Sequence, residues 1–324
     1  MKICSQCVLP ETFPGIQFDD DGVCQYCRSG ESIDRNAIRK ETEAFLSSIR
    51  GGAPQYDIVV AYSGGKDSTY ALKYLAEGFG LRIAALTIDN DFISDAAITN
   101  SRNVPSSLGV DHYLIKPSAT ALRMTFRRSL EEPIHGVSAL SRASAICNSC
   151  IQIINTQVLN FACHYQIPVV AGGYIGGQIP SSTGVMKQNL AASQALRRGF
   201  LDRLKKYIPD ESFRYFVQHS DGLDSVTVIN PMTYLALSED AIIEAIKPLG
   251  WIHPSDTGSS STNCLLNDFA IASHIDKHHY HPYVFETAMM VRLGLMARED
   301  AILRMGKVPD KLKTEPIREK LYRD

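Results

Sequence analysis

The sequence predicts an α/β protein, with a parallel sheet flanked by helices, a small cysteine-rich segment before it and a helical region after it. Short apolar runs alternate with segments of helical periodicity through the middle of the chain, which is the pattern of parallel strands covered on both faces. Two Cys-x2-Cys pairs fall within the first thirty residues, and helical patterns fill most of the last ninety. The predicted strands span residues 58–61, 83–88, 112–115, 168–171 and 226–229.

The composition is that of an ordinary soluble globular protein. The chain has 324 residues, of which 44% are hydrophobic and 21% charged, and 33 Lys and Arg against 35 Asp and Glu give a net charge of −2. This balance excludes a protein whose whole surface is a cationic sleeve for nucleic acid. No apolar run approaches the roughly 18 to 20 residues that span a bilayer, and the N-terminus lacks the apolar stretch of a signal peptide. We therefore expect a cytoplasmic protein with no membrane partner, in which the eight cysteines stay reduced.

Four segments follow from the periodicity and its breaks. Residues 1–30 form a cysteine-rich module with too few apolar residues for a core, and residues 31–54 hold a connecting helix. Residues 55–235 carry the strands and their crossover helices, and residues 236–324 form the helical C-terminal region. The predicted helices span residues 34–49, 69–75, 96–108, 151–164, 238–247, 268–277, 284–293 and 298–305.

The N-terminal cysteines predict a zinc site. Cys4 and Cys7 form one Cys-x2-Cys pair, and Cys24 and Cys27 form another after sixteen intervening residues. Two such pairs at this distance fit a tetrahedral site of four thiolates, and a segment without a core needs the folding energy that metal binding supplies. Disulfides or unliganded thiols are the alternative, which a reducing compartment disfavours. Because four thiolates leave no open position, we expect Zn²⁺ here to serve structure or recognition rather than catalysis.

A phosphate-binding loop is predicted between the first strand and the following helix. The segment reads Ala61-Tyr62-Ser63-Gly64-Gly65-Lys66-Asp67-Ser68. Its glycines let the backbone approach a phosphate, and the helix N-terminus adds partial positive charge. Lys66 would neutralise charge on pyrophosphate, and Asp67 could hold Mg²⁺, a hard cation that takes carboxylate and phosphate oxygens. The alternative is a glycine turn with incidental polar residues, which the strand–turn–helix context disfavours.

The hexapeptide Ser-Gly-Gly-Lys-Asp-Ser resembles the PP-loop of the adenine nucleotide alpha-hydrolase superfamily, the N-type ATP pyrophosphatases. The resemblance implies a Rossmann-like fold, cleavage of ATP between the α and β phosphates, adenylation of a substrate oxygen, and displacement of AMP by nitrogen or sulfur. It places adenine at the end of the second strand and a glycine-rich turn over the nucleotide, although this chain has Gln178 where many relatives carry an aspartate. The ATP-binding residues implied are Ala61, Ser63, Gly64, Gly65, Lys66, Asp67, Ser68, Thr87, Asp89, Gly172 and Gly173.

A second set of cysteines lies further along the chain. Cys147 and Cys150 form a pair just before the helix predicted over 151–164, and Cys264 follows a polar stretch where the chain could fold back over the nucleotide site. Three interpretations compete on the residues alone. They are a redox dithiol that carries a persulfide, a second zinc site completed by a histidine of residues 278–281, and buried small hydrophobes.

A PP-loop, a Cys-x2-Cys pair about eighty residues later and one distant cysteine resemble the layout of the tRNA 2-thiocytidine and 2-thiouridine synthetases. The resemblance implies that Cys147, Cys150 and Cys264 hold a 4Fe-4S cluster that handles sulfur. Three cysteines would leave one iron free for an exogenous ligand. On this interpretation Lys66 and Asp67 are catalytic together with the three cysteines, and sulfur replaces a carbonyl-type oxygen that has been activated as its adenylate.

The N-terminal segment resembles a different group. Residues 4–10, 14–19 and 22–24 look like the start of the N-acetyl sugar amidotransferases of surface-polysaccharide assembly. Those enzymes receive ammonia from a separate glutaminase subunit, so this resemblance implies a glutaminase partner and makes the second cysteine set dispensable. The two resemblances agree on adenylation, cover residues 1 to about 180 well and the remainder loosely, and differ in the atom transferred.

Three hypotheses about activity follow: an adenylating sulfur transferase, an amidotransferase, and a nucleotide-binding or zinc-scaffold protein without turnover. We favour the first, with a small-molecule acceptor such as a nucleobase or its nucleotide rather than tRNA, because no added RNA-binding domain or strongly basic surface is evident. The physiological sulfur donor is open, and a homodimer is one option for assembly. The roles of His274, His278, His279 and His281 are open between a site and a solvated helix end, which we slightly favour.

Overall fold

A computed structural model describes residues 2–30, 33–175, 178, 183–219, 222–235, 237–258 and 260–323. The strands in these residues are β1 Ile58–Ala61, β2 Ile83–Ile88, β3 Asp111–Ile115, β4 Val169–Ala171, β5 Val185–Asn189 and β6 Ser225–Ile229. They form one sheet of six strands in the order β3-β2-β1-β4-β6-β5. All neighbours pair in parallel except β5, which runs antiparallel to β6.

The predicted fold class is confirmed, and the sheet has one strand more than the sequence predicts. The five predicted strands lie within about a residue of their expected bounds and are all parallel to one another. The added strand β5 reads Val-Met-Lys-Gln-Asn and is partly exposed at the edge of the sheet. An edge strand with polar residues has no continuous apolar run, which is why the periodicity did not reveal it.

Helices cover both faces of the sheet. In the described residues they are α1 Gln25–Arg28, α2 Arg35–Ser48, α3 Lys66–Gly78, α4 Asp95–Ser107, α5 Ala119–Glu131, α6 Val137–Leu140, α7 Ala145–His164, α8 Leu190–Leu204, α9 Asp210–Phe213, α10 Met232–Leu235, α11 Glu239–Ile246, α12 Leu266–His278, α13 Val284–Arg292, α14 Arg298–Met305 and α15 Lys311–Tyr322. The sequence did not predict the longer helices α5, α8 and α15 or the short helices α1, α6, α9 and α10, and α7 begins earlier than expected. Two short 3-10 turns span Arg214–Phe216 and Lys247–Leu249.

Two hydrophobic cores lie on opposite faces of the sheet, because side chains alternate along a strand. Ile58 and Val60 of β1 join the core beneath α2, α3 and α11, whereas Val59 joins the core beneath α5, α7 and α12. The C-terminal helices are therefore divided between the two layers, with α11 on α3, and α12 and α15 against the layer of α5 and α7. No helix among the described residues is long and apolar enough to cross a membrane.

The N-terminal module, residues 2–30, shares its core with two C-terminal helices. Phe13 stacks on Phe285 of α13 with ring centroids 5.6 Å apart, and Tyr26 meets the same ring edge-on at 5.2 Å. Ala301 of α14 is buried in the same cluster. The module is thus anchored by side chains that follow it in sequence by more than 250 residues, which the local pattern could not indicate.

Candidate active site and the two cysteine centres

The predicted phosphate loop lies between β1 and α3, and its backbone conformation requires glycine at residue 64. Gly64 has φ +74°, and a Cβ atom there would lie 2.2 Å from the carbonyl oxygen of Ala97. Its own carbonyl accepts hydrogen bonds from Trp251 Nε1 at 2.9 Å and Asn100 Nδ2 at 3.2 Å. The side chains of Trp251 and Asn100 therefore hold the loop in a backbone conformation that residues other than glycine rarely adopt.

The polar groups of the loop are arranged for an anion. Ser63 Oγ lies 3.0 Å from Ser68 Oγ, and Lys66 Nζ lies 2.9 Å from a carboxylate oxygen of Asp67. Gly65 is the N-cap of α3 and gives no side-chain cap, so the first-turn amides depend on other partners. One such partner is Thr262, whose hydroxyl oxygen accepts from the amide of Lys66 at 3.0 Å. A phosphate would meet the positive end of α3 at this point.

The turn after β4 approaches the loop as the sequence resemblance implies. A Cβ atom on Gly173 would lie 2.8 Å from Ser68 Cα, so glycine permits the close contact between this turn and the first turn of α3. Gly172 and Gly173 both line the cavity at the loop. Residues 176 and 177 of the predicted turn lie outside the described residues, and Gln178 accepts a hydrogen bond from the amide of Ile175 at 2.9 Å.

Thr87 and Asp89, which the resemblance places among the ATP-binding residues, do not line the cavity at the loop. Thr87 Oγ1 donates to the carbonyl of Tyr62 at 2.7 Å in the interior, and Asp89 pairs with Lys116 at 2.9 Å. Side chains alternate across a strand, so β2 presents Leu86, Ile88 and then Asn90 to the cavity instead. The side chains of Thr87 and Asp89 are engaged with Tyr62 and Lys116, and their contact with adenine stays a prediction.

The three distant cysteines lie in the same cavity as the phosphate loop. The cavity holds about 340 Å³ and is lined by Cys147, Cys150 and Cys264 together with Lys66 and Asp67. The Cys147–Cys150 pair lies within the first turns of α7 rather than before the helix, because Ser144 caps the helix by accepting from the Cys147 amide at 3.1 Å. A sulfur transferase that uses these three cysteines together requires this convergence.

A polar segment carries Cys264 across to the other two cysteines. Cys264 forms an isolated antiparallel bridge with Ile93, and the amide of Ser94 donates to the carbonyl of Asn263 at 2.9 Å. Thr262 of the same segment touches the phosphate loop. The segment from residue 260 to 264 therefore contacts both the anion-binding loop and the cysteine group.

The three cysteines are half-buried, and hydrogen-bond donors lie near their sulfur atoms. Burial raises the pKa of Cys150 to about 12 and that of Cys264 to about 11, and it also raises the pKa of Cys147. Asn90 Nδ2 lies 3.4 Å from Cys150 Sγ, and Tyr283 Oη lies 3.7 Å from Cys147 Sγ. Burial therefore favours the neutral thiols over the thiolates, and a bound cation would favour the thiolates.

Several cavity residues were not predicted from the sequence. Asn267 on α12 and Tyr283 before α13 face Cys147, and Glu286 on α13 lies at the side of the loop. Burial raises the pKa of Glu286 to about 7, and Arg304 opposes that rise. The two-residue alternation of side chains along β2 could have indicated that Asn90 faces the cavity. No local sequence pattern indicates Asn267, Tyr283 or Glu286.

The four N-terminal cysteines form the metal-binding cluster that their spacing predicts. Their sulfur atoms all lie within 4.8 Å of one another. Cys4 Sγ is 3.8 Å from Cys27 Sγ, and Cys7 Sγ is 3.7 Å from Cys24 Sγ. Burial would raise the pKa of Cys4, but backbone amides of Cys7 and Cys24 bring it down to about 7. The cluster can hold one metal ion.

Other singled-out side chains have structural surroundings. His274 and His281 are buried, at 3% and 6% exposed, so the favoured solvated helix end does not describe them, whereas His278 is half-buried and His279 is exposed. The sequence has a basic stretch from Lys187 to Lys206 that could hold an RNA backbone or an anionic substrate but is more simply a solvated helix face. Within it, Arg197 donates to Thr156 of α7 at 2.8 Å. These groups lie apart from the cavity at the phosphate loop.

The chain is similar to known proteins over much of its length, but these similarities do not establish its activity. No family model matches. An uncharacterized protein of Methanocaldococcus jannaschii is 24% identical over 317 residues, which are 96% of each chain.

Among solved structures, the chain is similar to the U34-tRNA thiolase NcsA from Methanococcus maripaludis with its 4Fe-4S cluster, at 14% identity, covering 100% of this chain and 96% of that one, with a TM-score of 0.36. It is also similar to the NH3-dependent NAD synthetase from Campylobacter jejuni, at 13% identity over 86% and 99% of the two chains, with a TM-score of 0.38. The NMN synthetase from Francisella tularensis is similar at 15% identity over 69% and 76%, with a TM-score of 0.34.

Proposed function

We propose that the protein is an ATP-dependent sulfur transferase that adenylates a carbonyl-type oxygen of a small molecule and replaces that oxygen with sulfur. The observation that carries the proposal is the meeting of Cys147, Cys150 and Cys264 with the phosphate loop in one cavity. An enzyme that transfers ammonia would not need three thiols beside its nucleotide. A nucleotide-binding protein without turnover would need the loop but not these thiols, and a zinc scaffold would need neither.

The loop residues would bind and activate the nucleotide. The amides at the N-terminus of α3 and the ammonium of Lys66 would bind the phosphates, and Asp67 would hold Mg²⁺ together with phosphate oxygens. The acceptor oxygen attacks the α-phosphorus of ATP, the bond to pyrophosphate breaks, and the acceptor carbon then carries AMP as its leaving group. Attack by hydrosulfide forms the carbon–sulfur bond and expels AMP.

The pocket cysteines fit an iron–sulfur cluster better than a single metal ion. Their sulfur atoms do not all lie within 4.8 Å of one another, unlike those of the N-terminal cluster. A single tetrahedral zinc with Zn–S bonds of about 2.3 Å would hold its sulfurs about 3.8 Å apart. We propose that Cys147, Cys150 and Cys264 hold a 4Fe-4S cluster, which when bound would supply an iron that three cysteines leave open for sulfur.

The N-terminal cluster fits zinc. Its sulfur–sulfur distances of 3.7 and 3.8 Å match the separation of about 3.8 Å expected for tetrahedral zinc. Four thiolates close the coordination sphere, so this ion would stabilise the module and take no part in the chemistry. The module shares its core with α13, the helix that carries Glu286 to the cavity. A folded module would therefore help to hold Glu286 in place.

The acceptor is proposed to be a free small molecule such as a nucleobase or its nucleotide. A cavity of about 340 Å³ has the size of a small-molecule site. Transfer of nitrogen from a glutaminase partner is the second candidate, favoured by the sequence of the N-terminal module, and tRNA is a less favoured acceptor. Sulfide serves as the donor in the test below.

The test is an anaerobic reaction of the iron-reconstituted protein with ATP, Mg²⁺, sulfide and a panel of nucleobases and nucleotides. We expect AMP and pyrophosphate to form and one acceptor to gain sulfur in place of oxygen by mass spectrometry. Cys150→Ser should lose the sulfur product and keep AMP formation, whereas the matched Cys163→Ser change, in the core away from the cavity, should keep both. A nitrogen product with ammonia and none with sulfide would overturn the proposal.

A further inference from the structure

We propose that Asn90, Asn267 and Tyr283 form a donor shell, a set of hydrogen-bond donors that positions the three pocket cysteines and raises the reduction potential of the cluster they hold. The inference rests on the proposed function, since it assigns roles around the same cluster. None of these three side chains belongs to the phosphate loop or to the cysteine ligands. They come from three separate places in the chain: the end of β2, the helix α12 and the start of α13.

Asn90 bridges two of the sulfur atoms. Its Nδ2 lies 3.4 Å from Cys150 Sγ and 3.8 Å from Cys264 Sγ. Its Oδ1 accepts from the amide of Phe92 at 2.9 Å, which fixes the orientation of the side-chain amide and leaves the N–H groups toward the sulfurs. Asn90 is 8% exposed, so these N–H groups do not depend on bulk water.

Tyr283 and Asn267 serve the third sulfur atom. Tyr283 Oη lies 3.7 Å from Cys147 Sγ, and Asn267 Nδ2 lies 4.0 Å from the same sulfur while also donating to Tyr283 Oη. Because Tyr283 Oη accepts from Asn267, its own hydrogen is available to Cys147. Within the described residues, Oδ1 of Asn267 is buried without a partner, which is a cost that an apolar residue would avoid.

The shell has a physical purpose only when the sulfurs carry negative charge. A buried thiolate is costly, and N–H and O–H donors offset that cost more strongly in an apolar site than in water. Hydrogen bonds to the sulfurs of an iron–sulfur cluster stabilise added negative charge and therefore raise its reduction potential. Neutral thiols alone would gain little from three donors assembled from separate elements.

The test compares Asn90→Leu and Tyr283→Phe with the control Tyr280→Phe, all as full-length anaerobically reconstituted protein. Tyr280 is a buried neighbour of Tyr283 in sequence that packs on Phe13 and His274 in the core of the N-terminal module, and it does not line the cavity of the three pocket cysteines. The readouts are iron content, the rate of iron loss to a chelator, and the potential of the cluster by spectroelectrochemical titration.

We expect both shell variants to shift the potential to more negative values and to lose iron about 10- to 100-fold faster, as is usual when a partner of a metal ligand is removed. The control should match the wild type. Zinc content and circular dichroism establish that each variant is folded, and Tyr283→Phe, which removes one oxygen atom, keeps the test valid should Asn90→Leu fail to fold. Potentials and iron-loss rates equal to those of the control would overturn the donor shell alone. A wild-type protein that takes up no iron would overturn the proposed cluster and the shell with it.

Discussion

The two cysteine centres differ in how their ligands are brought together and in what surrounds them. The N-terminal centre draws four sulfurs from residues 4–27, and the pocket centre draws three from residues 147–264. Around the first, backbone amides approach the sulfur, with the Cys24 amide 3.3 Å from Cys4 Sγ. Around the second, the donors are side chains such as Asn90. The first centre is closed by its own backbone, whereas the second opens on a cavity shared with the phosphate loop.

On the proposed function, this difference separates a centre that would stabilise the fold from one that would take part in the chemistry. Four thiolates at tetrahedral separations leave no position for a substrate. The three pocket cysteines share a cavity with the predicted phosphate loop, so a cluster held by them, as proposed, would keep one position open beside that loop. The number of ligands and their neighbours, rather than the Cys-x2-Cys motif that both centres share, distinguish the two roles.

Serine substitutions, one in each cysteine centre, are expected to have the largest effects and to show whether the two centres are independent. Cys264→Ser should abolish iron binding, visible absorption and sulfur transfer while one zinc per chain remains. Cys24→Ser should release zinc and destabilise the N-terminal module, because metal binding there supplies folding energy, while the pocket still accepts iron. Metal analysis of both purified variants checks the prediction. Loss of both metals from Cys264→Ser would contradict the independence of the centres.

Substitution of Lys66 is expected to reduce AMP formation without changing the metal content of either cysteine centre. Lys66→Ala should reduce AMP formation about 100- to 1000-fold, the usual consequence of removing one charge that stabilises a transition state. Iron and zinc contents should stay at wild-type levels, because Lys66 contacts Asp67 and no cysteine. Release of AMP in a quenched assay measures the effect. Turnover at the wild-type rate would show that the loop is not the nucleotide site.

The anchoring of the N-terminal module is predicted to depend on Arg298. Its Nε donates to the carbonyl of Cys7 at 3.1 Å, and its Nη2 donates to the carbonyl of Cys4 at 2.9 Å. Arg298→Ala should lower the free energy of unfolding by about 2 kcal/mol, the scale of hydrogen bonds to a charged donor, and speed zinc release. Denaturant unfolding and a zinc-chelator assay measure this. Arg318→Ala, which removes an exposed ion pair with Glu315, is the control and should leave both unchanged.

The smallest predicted effect is a pH dependence that belongs to neither centre. Burial lowers the pKa of His274 from its ordinary 6.5 to about 3 and that of His135 to about 4. Between pH 6.5 and 4 the unfolded chain therefore binds more protons than the folded one, so stability is highest above 6.5 and falls as pH falls. His274→Gln should make the unfolding free energy less dependent on pH over this range. A variant with the wild-type slope would contradict the assignment.

The sequence by itself determined the elements whose signal is local. The strands β1 to β4 and β6 follow from their apolar runs, the phosphate loop from its glycines between strand and helix, and the four-cysteine cluster from two tight Cys-x2-Cys turns. In each case the interacting residues are close in sequence, or the pattern repeats at the period of the element, so spacing alone carries the geometry.

Only the tertiary structure decided which distant residues share the cavity. The choice of Asn90 over Thr87 and Asp89 depends on which face β2 turns to the loop, and that face is set by packing on both sides of the sheet. Tyr283 and Glu286 enter the cavity because α13 packs against the N-terminal module. Contacts of this kind form when buried surfaces associate across hundreds of residues, and no local period records them.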